Sequence, residues 1–189
     1  KATDQGNPSG PSHLSLTEAQ LQKVLKENSI SPLAVENIGR FTIVLYKSDG
    51  ESNGPLEESF PENMGKQIRT LRLTSDSKGN IIYGGGGGFG DNTDTVPVSI
   101  GASTSKSGLG YVGYVEVIIN DLDLRKNAHK VECIFDNDLK TSRLVENQEA
   151  LIIPFPPEKA QFNNVVITDQ EGKVLFDKNE FLKQSRKWW

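Results

Sequence analysis

Ten short runs of β-branched and aromatic residues, each closed off by Gly, Asn, Asp, Ser or Pro, set the strongest constraint on this chain. They begin at Phe41–Tyr46 and Ile68–Leu73 and continue through Ile81–Tyr83, Val96–Ile100 and Tyr111–Ile119. Lys130–Phe135, Thr141–Val145, Leu151–Phe155, Val165–Thr168 and Val174–Phe176 complete the series. Ile68-Arg69-Thr70-Leu71-Arg72-Leu73 alternates apolar and polar, the period of a strand with one buried face. Turn signals separate the runs where a parallel sheet would need long crossover helices, so the strands are expected to pair antiparallel. The expected fold is mainly β: an antiparallel two-sheet β-sandwich of roughly eight to ten strands with an N-terminal amphipathic helix.

That helix is read from Ser15-Leu16-Thr17-Glu18, a capping box in which Ser15 caps and Glu18 reaches back. Leu21, Val24 and Leu25 then share one face, and Asn28, Ser29 and Pro32 stop the helix. A second, single helical turn is expected within Asp121–Ala128. Of 189 residues 35% are hydrophobic, enough for one sizeable core. The expected organisation is a polar leader over 1–13 and one domain over 14–189, with the helix at 15–28, the sandwich at 36–178 and a C-terminal tail at 179–189.

Composition narrows function by exclusion. A net charge of −4 and a pI near 5.3 provide no basic footprint for nucleic acid. The longest apolar run, Ala150–Phe155, falls far short of the ~20 residues a membrane-spanning helix needs. One cysteine, Cys133, rules out an internal disulfide and a multi-cysteine zinc site. The leader is Gly-, Pro- and Ser-rich, a polar tether of the kind that signal cleavage or a tag leaves. An extracellular or cell-envelope location is expected, with a cytoplasmic one as the alternative.

Two segments echo each other: Ser75-Asp76-Ser77-Lys78-Gly79-Asn80-Ile81-Ile82-Tyr83 and Thr168-Asp169-Gln170-Glu171-Gly172-Lys173-Val174-Leu175-Phe176. Each reads strand, Asp turn, Gly, strand, and turn chemistry alone accounts for the likeness without a duplicated half-domain. Thr42–Tyr46, a Gly-rich stretch, Tyr114–Asp121 and Val165–Phe176 together resemble uncharacterised secreted or lipid-anchored β-domain proteins of Gram-positive bacteria. The resemblance spans about residues 36–178. It implies an envelope location and brings no activity or site residues with it.

Few residues suggest chemistry. Asp49-Gly50-Glu51-Ser52-Asn53-Gly54 resembles the start of a calcium loop, but Phe60 stands where the bidentate Glu belongs, so Asp49, Glu51 and Asn53 are weak ligands and a solvated turn is expected. Gly90-Asp91-Asn92-Thr93-Asp94 is a second acidic loop of the same kind. Gly84–Gly88 lacks the Lys and Ser/Thr of a phosphate cradle and reads either as a flexible loop or as a surface of close approach. Tyr83, Phe89, Tyr111 and Tyr114 cluster around the glycine stretches and are the candidate ligand-contacting residues, with sheet packing as the alternative. Cys133 alternates with Val131 and Phe135 and should be a buried, inert thiol; His129 is the one imidazole outside the leader and reads as a surface residue. The C-terminal Trp188 and Trp189, beside Arg186 and Lys187, suit either contact with a membrane surface or a helix covering the sandwich edge.

These readings favour a non-catalytic extracellular or envelope module that binds a protein or glycan, with no cofactor. The alternatives are a small hydrolase built on a carboxylate pair and a β subunit of a larger assembly.

Overall fold

The structure, a computed structural model, describes residues 13–48, 67–90, 95–107, 110–157 and 160–185, apart from the side chains of Phe89 and Ser107. Within them the chain is mainly β, with antiparallel sheets and an N-terminal helix. Sheet A has the order β1 (Pro32–Ile38), β2 (Phe41–Ser48), β3 (Gln67–Ser75), β4 (Ile81–Gly90). Sheet B is β5 (Val98–Ser107), β6 (Gly110–Ile119), β9 (Ala150–Pro154). Sheet C is β11 (Val174–Asp177), β10 (Phe162–Thr168), β7 (Lys130–Phe135), β8 (Lys140–Leu144). Helices α1 (Glu18–Glu27), α2 (Leu122–Asn127) and α3 (Lys178–Ser185) complete the described elements.

Strand parity builds the layers. Even residues of β6, Val112, Tyr114 and Ile118, meet Phe41, Ile43, Leu45 and Ile68 of sheet A. Odd residues, Val115, Val117 and Ile119, meet Val131, Cys133, Val165 and Ile167 of sheet C. Sheet B is therefore covered on both faces, and the order is α1, sheet A, sheet B, sheet C. The expected sandwich occurs twice, A on B and B on C, with eleven strands described. On the far side of sheet A, Leu21, Val24 and Leu25 of α1 pack on Val44, Tyr46, Leu71 and Leu73. Each such burial is worth about 1.5–3 kcal/mol, more than a ten-residue helix can gain from propensity alone.

The helix starts two residues later than the Ser15 reading. Thr17 is the N-cap, and Thr17 with Gln20 forms the capping box. Leu14 exchanges two backbone hydrogen bonds with Ser75, and the Leu16 amide donates to Thr42 Oγ1. Those bonds hold residues 14–16 extended against sheet A, so the second of two overlapping box motifs wins. The two echoed hairpins have the same construction: Asp76 Oδ1 accepts from the Lys78 and Asn80 amides, and Asp169 Oδ1 from the Glu171 and Lys173 amides. Gly79 and Gly172 take φ of +81° and +82°, the left-handed geometry that closes each turn.

Sheet C and sheet B share the largest core cluster. Phe135 is 1% exposed and lies 4.6 Å from Phe155, with Phe162 edge-on at 6.3 Å. The C-terminal segment opens as helix α3, whose Phe181 ring sits 5.8 Å from Phe176. Trp188 and Trp189 lie outside the described residues.

Candidate functional site

Gly84–Gly88 is not a loop but the middle of strand β4, and the close-approach reading is the one that applies. β4 runs antiparallel to β3 with Gly86 opposite Leu71, Gly87 opposite Thr70 and Gly88 opposite Arg69. Pairing, not propensity, makes this strand, because glycine supplies no side chain to favour a pleat. A Cβ at Gly86 would stand 2.3 Å from the Thr70 carbonyl oxygen, and one at Gly88 3.0 Å from that of Ile68. A bulge sets Gly84 and Gly85 against Arg72, with Gly85 at φ +91°. The Arg72 guanidinium donates through Nη2 to the Gly84 carbonyl and lies 5.8 Å from the Phe41 ring centre.

Between sheets A and B the even parity of β6 carries a polar pair into the core. Glu116 is 3% exposed, and Thr70 Oγ1 on β3 donates to its Oε1 at 2.5 Å. Burial holds the Glu116 carboxyl above its usual range, and the Thr70 bond opposes that only in part. Tyr114 is also interior, at 3% exposed. Burial first, and then the Glu116 charge, push its hydroxyl up to about 12, against a hydrogen bond with Ser103 and the nearby Arg72. Tyr114 is therefore not a surface ligand contact as expected; its parity on β6 turns it toward sheet A. The same parity was the available signal for Glu116, which the sequence reading did not single out.

The other candidate residues divide. Tyr83 is 44% exposed on β4, and Tyr111 is 45% exposed at the start of β6, with Lys106 Nζ 5.0 Å from its ring centre. These are the exposed tyrosines; Tyr46 and Tyr114 are buried. Phe89 pairs in register with Ile68, and its side chain lies outside the described residues, as do Asp49, Glu51, Asn53 and the 91–94 loop. Among the described residues no group of three or more His, Cys, Asp or Glu side chains could hold a metal.

Nucleophilic chemistry finds little support in the geometry. Cys133 is fully buried, and burial, with the Glu132 charge adding to it, pushes its thiol up to about 12. His129 is half-buried at the entry of β7, where its backbone bonds Thr168 and Val145. Glu116 is shifted by burial and by Thr70, with no second carboxylate acting on it among the described residues. At the edge of sheet A opposite β4, Arg143 of β8 bridges to Glu36 of β1 at 2.5 Å and ties the edge of sheet C to that of sheet A. A groove of about 580 Å³ lies there, lined by Val35, Leu144 and Ile152 among others. Among the described residues no helix is long and apolar enough to cross a membrane. No family model, curated protein or solved structure matches this chain.

Proposed function

We propose that this protein is a non-catalytic binding module, with a protein or glycan ligand, acting outside the cell or at the cell envelope. The observation that supports it best is the exposure of Tyr83, on the uncharged glycine-bearing strand β4, and of Tyr111, at the start of β6, in a molecule whose buried carboxylate is engaged by a threonine. Exposed tyrosines offer rigid contact area with a polar tip, which suits sugar rings and peptide side chains alike. The envelope location draws on the likeness to secreted and lipid-anchored proteins of Gram-positive bacteria, and contact of Trp188 and Trp189 with a membrane surface belongs to the same reading. The test titrates the protein with envelope glycan fragments and extended peptides while backbone amide shifts are followed. Ligand-induced shifts around Tyr83 or Tyr111, weakened by Tyr83→Ala or Tyr111→Ala with folding intact, are expected. Turnover of a glycoside or ester that disappears in Glu116→Gln would replace this reading with the hydrolase.

A further inference from the structure

The three sheets present six edges: β1 and β4, β5 and β9, β8 and β11. An open edge is a template for another strand, and proteins blunt it with charge, proline or a cover. Five of these edges are blunted. β1 carries Pro32 and Glu36, and β8 carries Lys140 and Arg143. β5 carries Lys106, β9 ends in Pro154 and lies beside β1 and β8, and β11 ends in Asp177 with α3 packed on it. β4 reads IIYGGGGGFG, with no charge and no proline.

Its usable stretch can be located. The bulge at Gly84 and Gly85 interrupts the ladder, and the Gly84 carbonyl is taken by Arg72. From Gly86 to Gly90 the register against Leu71 to Gln67 is unbroken, a straight edge of ~17 Å. Gly85, Gly86 and Gly88 are exposed, and a Cβ built at Gly87 finds its nearest neighbour, Ser103 Oγ, at 4.0 Å. Among the described residues no strand pairs with the outer side of β4.

We infer that this edge receives an extended, uncharged polypeptide segment of about five residues, bearing β-branched or aromatic side chains, as an added strand of sheet A. The inference rests on the binding-module reading and deepens it. Only a polypeptide backbone repeats donors and acceptors at the two-residue step of the edge, about 6.8 Å at ~3.4 Å per residue. A second copy of this chain is the poorer occupant. Glycine paired with glycine lacks the cross-strand side-chain contacts that stabilise sheets, and a five-residue ladder buries far less than the ~1,200–2,000 Å² of a stable interface. The guest must therefore bring its own side chains, and the bare strand leaves space for them. The absence of charge on β4 favours an uncharged guest, whose side chains need no counter-ion there.

The test uses the full chain and an N-acetylated hexapeptide amide of alternating threonine and valine. Amide hydrogen exchange should slow, when the peptide is added, at those residues of Gly86–Gly90 whose amides point away from β3. N-methylation of alternate peptide residues should weaken binding at least tenfold for one edge of the peptide and leave the other edge unaffected. Gly87→Lys, placed where a Cβ has room, should weaken binding at least tenfold; should that variant misfold, the N-methyl series still decides. No binding at millimolar peptide, equal binding of both N-methylated forms, or protection elsewhere would overturn the inference. So would a micromolar dimer of the unliganded protein abolished by Gly87→Lys, which would make the second copy the occupant. Glycan binding at Tyr111 without peptide binding would sink the edge and keep the module, whereas Glu116-dependent turnover would sink the module.

Discussion

Gly86 and Gly87 are adjacent in one strand and should respond oppositely to the same methyl group. At Gly86 a Cβ would run into the Thr70 carbonyl, so Gly86→Ala should cost about 1–3 kcal/mol through a forced backbone shift. At Gly87 the space is open, so Gly87→Ala should leave stability unchanged or raise it by up to ~1 kcal/mol by restricting the unfolded chain. Denaturant melts of the two variants check this, and equal losses would mean that β3 and β4 do not pair in this register. Glu116 provides a prediction with a sign. Burial raises its carboxyl above the ordinary value, so folding penalises the ionised form. Its contribution is complete below the ordinary carboxylate range and is lost as pH rises through and above that range. Glu116→Gln, which keeps an acceptor for Thr70, should therefore melt higher than the parent at about pH 7, with the gap closing toward about pH 4. A gap that widened on acidification would show that Glu116 is stabilised as the anion.

At the scale of elements, local chemistry was legible where it was self-sufficient. β7 reads apolar-polar in sequence and is buried on alternate residues, and both Asp-Gly hairpins are legible as turns from their Asp and Gly alone. β1 escaped because Pro32 and Asn37 interrupt its pattern, yet Pro is tolerated at the start of an edge strand. β4 was legible only as Ile81–Tyr83, since nothing in a glycine run prefers a strand; β3 imposes the rest. The start of α1 was misplaced for a reason outside the helix: residues 14–16 are engaged by Thr42 and Ser75, which are distant in sequence. Thr17→Ala should consequently lower stability by about 1 kcal/mol, while Ser15→Ala should change little; thermal melts followed by circular dichroism separate the two. A larger loss at Ser15 would return the cap to the earlier motif.

For the whole molecule, Tyr111–Ile119 was legible as a strand, but not its burial on both faces or which sheets would cover it. That depends on pairings between strands far apart in the chain, such as β6 with β9 and β7 with β10, which alternation does not encode. The candidate site was legible in part for the same reason. Tyr83 and Tyr111 are exposed, whereas Tyr114 and Glu116 are buried by sheet stacking, which no local pattern encodes. Among the described residues five sheet edges are blunted and β4 is not, and the functional account depends on that edge being open in the unliganded protein. Residue-resolved amide hydrogen exchange of the free protein, at a concentration where it is monomeric, measures this directly. Between Gly86 and Gly90 the account predicts alternation: amides bonded to β3 exchange slowly, and the intervening amides exchange as fast as those of exposed turns. Uniform protection along β4, matching that of β3, would mean the edge is already occupied and would contradict the account.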